Sequence, residues 1–240
     1  MLKETNSSDF SDLFRKVRFS SELQTKVVEA ITTNETSFFR DSSPFELLQQ
    51  KLIPDLIDRR SKTGIRPIPL RIWSAACSTG QEVYTVAMVL REVLGASDAY
   101  DVRIVGTDIS NRVIAAASRG CYSDHEAQRG LAHTHLAKYF TRHAGGWKIR
   151  DEIRAMASFR KLNLLDPMVF PSQFDIVLCR NVAIYFTEDD RARLFGNVAK
   201  NMAKDGSLIV GSTESITGVC PGFQPLRHLR SVYYQLIRPV

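Results

Sequence analysis

Two acidic residues occupy positions in the sequence where a carboxylate could bind a ligand. Glu82 follows a strand-like apolar segment and a loop of small residues, 74-SAACSTGQE-82, in which Gly80 is the one glycine. Asp108 ends the next strand-like segment, at 106-GTDIS-110. In nucleotide-binding α/β folds, an acidic side chain at this second position accepts hydrogen bonds from ribose hydroxyls. The two acids therefore indicate a site for a ligand that contains a ribose.

The loop before Glu82 disfavours a dinucleotide as that ligand. A pyrophosphate site uses glycines in the pattern G-x-G-x-x-G, so that the amides of a helix N-terminus reach the phosphates. This loop has a single glycine, and the negative charge of Glu82 at the helix start would repel a phosphate. The acids instead suit a nucleoside without phosphates, of which S-adenosylmethionine is the common cofactor. A purely structural role stays open, because acids near helix N-termini also act as caps.

Apolar patterns along the chain predict the elements that would position these acids. Strand-like and helical segments alternate, in the order strand 70–76, helix 81–94, strand 102–109, helix 111–119, strand 174–180, helix 188–203 and strand 206–212. Such alternation is typical of βαβ units, which form an α/β fold with a mostly parallel sheet covered by helices on both faces. Ligands of these sheets bind beyond the carboxyl ends of the strands, so Glu82 and Asp108 are expected at one edge.

The remaining segments are expected to extend this α/β fold. Helical patterns cover residues 9–31 and 43–60. Residues 223–239 contain two strand-like runs joined by a tight turn, which predicts an antiparallel last pair of strands. A Gly-Gly pair between two further strand-like runs predicts a small antiparallel hairpin, inserted at about residues 138–160.

Length, charge and cysteine use narrow the class of protein. The chain of 240 residues suits one α/β domain with a small attachment. It has no apolar run long enough to span a bilayer and no signal-peptide pattern, and its four cysteines lie far apart with no C-x-x-C pair. We therefore expect a cytoplasmic protein without a metal site and without membrane insertion. The net charge of +6 favours acidic partners, which include nucleic acids, lipids and acidic protein surfaces.

Six short motifs resemble, in the same order, those of the chemotaxis-receptor glutamate methyltransferases, the CheR family: 33-TNETSFFRD-41, 73-WSAACSTGQE-82, 107-TDIS-110, 162-LNLL-165, 179-CRNVAIYF-186 and 211-GSTES-215. The resemblance implies a class I (Rossmann-like) methyltransferase domain over residues 32–240, with a small β-subdomain inserted late. Members of this family usually begin with a longer helical domain than residues 1–31 provide. The N-terminal helical segment is therefore expected to be shortened.

The resemblance also implies roles for residues at the matched positions. The cofactor-binding residues would be Asn34, Thr36, Arg40, Glu82, Asp108, Asn163, Leu164, Arg180 and Asn181. Two residues are expected near the transferred methyl group and are the catalytic candidates. Tyr185 would lie beside the methyl, and Arg40, in a loop that closes over the cofactor, could steer an incoming carboxylate.

The reaction implied by the resemblance is transfer of a methyl group from S-adenosylmethionine to glutamate side chains of chemotaxis receptors. The products would be glutamyl methyl esters and S-adenosylhomocysteine. An unperturbed glutamate has a pKa of about 4.3, so the nucleophile is already ionised at neutral pH and needs no general base. The expected partners are the cytoplasmic helical region of the receptors and other signalling proteins, rather than nucleic acid.

Two other functions compete with this reading. Enzymes that methylate exocyclic amines of bases resemble one another in an Asn/Asp-Pro-Pro-Tyr/Phe turn, whereas this chain has Asn181-Val182-Ala183-Ile184 at that place. A nucleic-acid methyltransferase is therefore disfavoured. A non-catalytic module that binds the cofactor and signals through a partner is not excluded by any residue of the sequence.

Two basic regions are candidates for receptor docking. The first is the pair of N-terminal helices, with basic residues at Arg15, Lys16, Arg18 and Lys26. The second is the predicted hairpin, with basic residues at Arg142, Lys148, Arg150 and Arg154. Some family members grip a receptor tail peptide with the hairpin, by adding it as a strand. The hairpin turn here is short, so we expect docking through the basic N-terminal helices without a tail tether.

Overall fold

The computed structural model describes residues 2–237 and contains strands in two sheets. In chain order the strands are β1 (Ile68–Ala75), β2 (Tyr100–Asp108), β3 (Cys121–Tyr122), β4 (Phe140–His143), β5 (Gly146–Ile149), β6 (Ala157–Lys161), β7 (Phe174–Cys179), β8 (Met202–Val210), β9 (Phe223–His228) and β10 (Ser231–Leu236). Within these residues, seven strands form the main sheet, in the order β6-β2-β1-β7-β8-β10-β9, and three form a small sheet, in the order β3-β5-β4.

Among the described residues, four helices come before β1 in the chain, and the others follow it. They are α1 (Phe10–Arg18), α2 (Ser21–Ile31), α3 (Ser43–Leu47), α4 (Ile53–Ser61), α5 (Gln81–Leu94), α6 (Asn111–Arg119), α7 (Asp124–Gln128), α8 (His133–Tyr139), α9 (Asp151–Arg154) and α10 (Glu188–Asn201). A π-helical turn, Leu48–Leu52, joins α3 to α4, so the predicted helix over 43–60 is continuous but irregular. No helix within residues 2–237 is long and apolar enough to cross a membrane.

The predicted fold class is confirmed. Strands β6, β2, β1, β7 and β8 run parallel, and β10 runs antiparallel to both β8 and β9. The antiparallel pair follows from its short turn, because a parallel pair requires a long crossover connection. The last residues of the predicted run, 238 and 239, lie outside the described residues.

The small sheet differs from the predicted insert at both ends. The hairpin of β4 and β5 forms as expected around Gly145, but β3 joins it from much earlier in the chain. At the other end, β6 lies within the predicted insert yet pairs in parallel with β2 at the edge of the main sheet. An edge strand buries few side chains, and none of the five residues of β6 is fully buried. It therefore lacks the apolar run that marks β1 and β7.

Buried side chains fill both faces of the main sheet. The six residues of β7 are all buried, as expected for a strand covered on both sides. Trp73 of β1 is fully buried, and its Nε1 donates a hydrogen bond to Oγ1 of Thr107 on β2, 2.9 Å away. The one polar group of the largest fully buried side chain is thus satisfied. The core holds the carboxyl ends of β1 and β2 in a fixed register.

An ionic network ties α4 to the sheet at the end opposite those carboxyl ends. Asp175 of β7 is buried and forms an ion pair with Arg60, and its other oxygen accepts a hydrogen bond from the backbone N of Arg71, at 2.8 Å. Asp205 is more exposed and pairs with Arg59 at 3.1 Å and with Arg60 at 3.4 Å. The buried carboxylate of Asp175 therefore joins α4 to both β7 and β1, and the ion pairs of Asp205 add to this attachment of α4.

We expect Asp175→Asn to lower the free energy of unfolding by about 1.5 to 3 kcal/mol, because hydrogen bonds to a buried charge would be lost or weakened. Asp205→Asn is the matched control, and its more exposed ion pairs should contribute about 1 kcal/mol or less. Urea unfolding followed by circular dichroism measures both. Equal losses in the two variants would contradict the assignment of Asp175 as the central residue of this network.

Candidate active site

A cavity of about 390 Å³ opens at the carboxyl ends of β1, β2 and β7. Its volume is within the range of small-molecule sites. The lining includes eight of the ten residues expected from the sequence: Asn34, Thr36, Arg40, Glu82, Asp108, Arg180, Asn181 and Tyr185. Four segments that are far apart in the chain thus meet at one cavity.

Strand register explains why the three sheet-borne parts of the lining meet. Ala75 of β1 lies opposite Thr107 of β2 on one side and Cys179 of β7 on the other. The residues that follow these in the chain are therefore brought together as each strand ends. Among them are Asp108 and Arg180, which both line the cavity.

The loop between β1 and α5 is tightly turned beside the cavity. Ala76 and Ser78 have φ values of +59° and +49°, and Gly80 has a φ of +91°. Left-handed backbone is unfavourable for residues that carry a Cβ, and it recurs where a chain must approach a ligand. The loop is held by a hydrogen bond from the backbone N of Cys77 to the carbonyl of Thr107, at 2.9 Å. Its backbone is thus fixed against the end of β2.

Asp108 is buried at the cavity wall and oriented by the backbone. One carboxylate oxygen accepts a hydrogen bond from the N of Ser78 at 2.9 Å, and the other accepts one from the N of Ser110 at 3.1 Å. Burial raises the pKa of Asp108 above its ordinary value, although these backbone hydrogen bonds oppose the shift and nearby Glu29 adds to it. Each oxygen has a second lone pair, so the oriented carboxylate can still accept hydrogen bonds from ligand hydroxyls.

Glu82 and Arg180 bind each other. Oε2 of Glu82 accepts a hydrogen bond from Nη1 of Arg180 at 2.7 Å, and Oε1 accepts one from Oγ of Ser74, also at 2.7 Å. The Arg180 side chain is 2% exposed and that of Glu82 is 13% exposed, so this is a buried ion pair. The sequence suggests Glu82 and Arg180 as separate cofactor ligands, and that role stays a prediction. The geometry adds a second one, in which each residue orients the other.

The same arginine holds the segment that closes the cavity from the N-terminal side. Nη2 of Arg180 donates to the carbonyl of Arg40 at 2.8 Å and to the carboxylate of Asp41 at 3.1 Å. Oγ of Ser78 donates to the carbonyl of Asn34 at 3.0 Å. Residues 34–41 are therefore pinned to the sheet edge at both ends, which places the side chains of Asn34, Thr36 and Arg40 along the cavity.

Arg40 and Tyr185 lie at the accessible part of the lining. Nη1 of Arg40 donates to the carbonyl of Glu35 at 3.0 Å, which leaves its other donors available. Tyr185 ends a short 3₁₀ turn, Ala183–Tyr185, and is 64% exposed. Both side chains can therefore meet a macromolecular substrate that approaches from solvent.

Asn163 and Leu164 do not line this cavity. Oδ1 of Asn163 accepts a hydrogen bond from the N of Leu165 at 3.2 Å, and Leu164 is buried in the hydrophobic core. Their loop does lie beside the end of β2, because the N of Leu162 donates to the carbonyl of Asp108 at 2.8 Å. Their role in cofactor binding stays a prediction.

Several residues that shape the site were not predicted. Cys77 and Ser78 line the cavity, and their signal was present, since both belong to the small-residue loop. Val182 also lines it, within a matched motif. Glu214 accepts hydrogen bonds from the backbone of the segment that follows β7, and only its motif was recognised. Within residues 2–237, no group of three or more His, Cys, Asp or Glu side chains could hold a metal ion.

A mostly parallel sheet with an antiparallel last strand, and an oriented acid at the end of β2 beside the cavity, are features of the class I S-adenosylmethionine-dependent methyltransferases. The comparisons with known proteins agree with this class. The family model for the CheR methyltransferase S-adenosylmethionine-binding domain matches residues 34–230.

Relatives of known family are similar over most of the chain. Chemotaxis protein methyltransferase 1 of Pseudomonas aeruginosa is 38% identical over 218 residues, which cover 89% of this chain and 77% of the relative. Chemotaxis protein methyltransferase 1 of Vibrio cholerae is 35% identical over 234 residues, which cover 95% of this chain and 82% of the relative. This chain belongs to the CheR methyltransferase family, and S-adenosylmethionine is its cofactor.

We expect Asp108→Ala to weaken binding of S-adenosylhomocysteine by about 1.5 to 3 kcal/mol, because a charged acceptor of ligand hydrogen bonds is removed. Isothermal titration calorimetry measures the change. Asp101→Ala is the matched control, since Asp101 lies near the start of the same strand and pairs with Arg71, far from the cavity. Unchanged affinity in Asp108→Ala would refute the assignment of this carboxylate to the cofactor.

The pH dependence of binding provides a second readout for the same residue. Burial raises the pKa of Asp108, so acidification protonates it at a higher pH than an ordinary aspartate with a pKa of 3.8. Affinity of the wild type should therefore fall as the pH is lowered toward that range. Asp108→Ala should lack this part of the pH dependence.

Proposed function

We propose that this protein transfers the methyl group of S-adenosylmethionine to glutamate side chains in the cytoplasmic helical region of chemotaxis receptors. The observation that carries the proposal is the placement of Arg40 and Tyr185, beside solvent, in the same cavity as Asp108. The names of the two relatives support a role in chemotaxis, since both are chemotaxis protein methyltransferases. The product would be a glutamyl methyl ester.

A glutamate substrate is consistent with the chemistry of the lining. The carboxylate of an ordinary glutamate is ionised at neutral pH, so transfer needs no residue that removes a proton. None of the five histidines, all within the described residues, lines the cavity. What the protein must supply is alignment of the carboxylate and exclusion of water around it.

Arg40 and Tyr185 are suited to that alignment in different ways. When bound, S-adenosylmethionine supplies a methyl group on a sulfonium, and its transfer leaves S-adenosylhomocysteine. The guanidinium of Arg40 attracts a carboxylate to the cavity, but a tight bidentate pair would also reduce its nucleophilicity. The hydroxyl of Tyr185 offers one neutral hydrogen bond. We therefore assign steering to Arg40 and final orientation to Tyr185.

Two features argue against a nucleic-acid base as the substrate. The turn after β7 lacks the two prolines of amine-methylating enzymes. Methylation of a cytosine carbon would require a cysteine thiolate. Burial raises the pKa of the Cys77 and Cys179 thiols well above the ordinary value, so both remain protonated at neutral pH. Neither cysteine is a suitable nucleophile.

The docking surface in this proposal is the exposed side of α1 and α2. Two of its basic side chains pair with acids of their own helices, Lys16 with Asp12 at 3.0 Å and Lys26 with Glu22 at 2.6 Å. Phe14 of α1 is 65% exposed and lines a shallow surface depression together with Arg15. A partner helix with acidic and apolar side chains suits such a surface, and the encounter would depend on ionic strength.

The test uses receptor-containing membranes and S-adenosylmethionine labelled in its methyl group. We expect label to enter the receptor and to leave as volatile methanol in alkali, because esters are hydrolysed by base. Arg40→Ala and Tyr185→Phe should each lower kcat by roughly tenfold or more, equivalent to about 1.4 kcal/mol of lost transition-state stabilisation, and should lower cofactor affinity by a smaller factor. Arg66→Ala and Tyr100→Phe, outside the cavity lining, are the matched controls.

Three outcomes would contradict the proposed reaction, and a fourth would change the role of a residue. Label that resists alkali would indicate another acceptor atom, and label on nucleic acid would indicate another substrate. Cofactor binding without any transfer to receptor would favour a non-catalytic signalling module. If either active-site variant lost only cofactor affinity, that residue would belong to the cofactor site instead.

A further inference from the structure

One carboxylate next to the cavity is bound entirely by backbone amides. Oε2 of Glu214 accepts hydrogen bonds from the N of Asn181 and the N of Gly211, both at 2.7 Å. Oε1 accepts from the N of Val182 at 3.1 Å and the N of Ile184 at 3.3 Å. Four donors on two oxygens use the acceptor capacity of a carboxylate almost fully. Glu214 therefore stabilises a particular backbone shape rather than a surface charge pair.

Three of those four donors belong to one short segment, residues 181–184, that forms part of the cavity. Asn181 and Val182 line the cavity, and the segment leads directly into Tyr185. Asn181 has a φ of +56°, a left-handed conformation that asparagine adopts more readily than most residues and that turns the segment sharply. The carboxylate of Glu214 accepts hydrogen bonds from three amides of this turned segment and so stabilises its backbone.

The packing between the two segments is close. A Cβ added at Gly211 would lie 2.5 Å from Oδ1 of Asn181 and 2.6 Å from Oε2 of Glu214. Glycine is therefore required at this position for the carboxylate and the segment to approach each other. Gly211 follows β8 directly, so the contact couples the end of that strand to the cavity wall.

We propose that Glu214 is a positioning residue for methyl transfer, which acts by fixing residues 181–184 and thereby the place of Tyr185 beside the reacting groups. The proposal rests on the proposed function, since Tyr185 is assigned its role there. The carboxylate is required because glutamine has a single acceptor oxygen. Its NH₂ group would face two of the four amides, and two donors cannot bond each other.

The experiment compares the wild type with Glu214→Gln in the receptor methylation assay. We expect kcat to fall by roughly tenfold or more, and by a larger factor than the affinity for S-adenosylhomocysteine, to which Asn181 is expected to contribute. Ser215→Ala is the matched control. Its hydroxyl lies 3.4 Å from that of Tyr234 and accepts a hydrogen bond from the N of Thr217, and both partners lie outside residues 181–184. It should leave kcat unchanged.

A double-mutant cycle tests whether Glu214 acts through Tyr185. Tyr185→Phe should lower kcat strongly in the wild type and only slightly in the Glu214→Gln background, because the hydroxyl is already misplaced there. Independent, multiplicative effects of the two substitutions would overturn the proposal. Unchanged kcat in Glu214→Gln would also overturn it.

Amide hydrogen exchange separates this inference from the proposed function, because it needs no receptor. Glu214→Gln should accelerate exchange at residues 181–184 in the isolated protein, and slow exchange in the variant would overturn the role of the carboxylate. Failure of the wild type to methylate receptors, with exchange as expected, would refute the proposed function alone. If Glu214→Gln does not fold, Gly211→Ala displaces the same segment and must produce the same loss of kcat.

Discussion

The cavity depends on the contacts that the buried guanidinium of Arg180 makes with its neighbours. Its guanidinium bonds Glu82 at the start of α5 and also the carbonyl of Arg40 in the segment that covers the cavity. Loss of a partner would leave a buried charge uncompensated, which typically costs about 3 to 5 kcal/mol, so the groups that contact Arg180 depend on one another for their positions. Arg180 itself follows β7. The Arg180 side chain thus joins the end of β7 to the start of α5 and to residues 34–41.

The two edges of the main sheet, at the amino and carboxyl ends of its parallel strands, have different roles. At one end, Asp175 and Arg60 join α4 to β7, and this network serves stability. At the other, the carboxyl ends of β1, β2 and β7 carry Asp108 and Arg180, and their polar groups face a cavity. Parallel strands make this division possible, because all of their carboxyl ends lie at the same edge.

The sequence predicted those features that depend on local patterns. Long apolar runs identified β1, β2 and β7, and the position of Asp108 at a strand end placed it correctly at the carboxyl edge of the sheet, where it lines the cavity. The pairing of Glu82 with Arg180 joins residues 98 positions apart, and the contact of Glu214 with Asn181 spans 33 positions. The apolar pattern of a sequence does not predict contacts between side chains so far apart in the chain. Edge strand β6 was missed for a related reason, since few of its side chains are buried.

Hydrogen exchange in the wild type and in Arg180→Lys tests the central claim most directly. Lysine keeps a positive charge for Glu82, but its single ammonium cannot replace the guanidinium fork that also bonds the carbonyl of Arg40. The account predicts faster amide exchange within residues 34–41, unchanged exchange in β1 and β7, and weaker binding of S-adenosylhomocysteine. Unaltered exchange in residues 34–41, together with unaltered cofactor affinity, would contradict it.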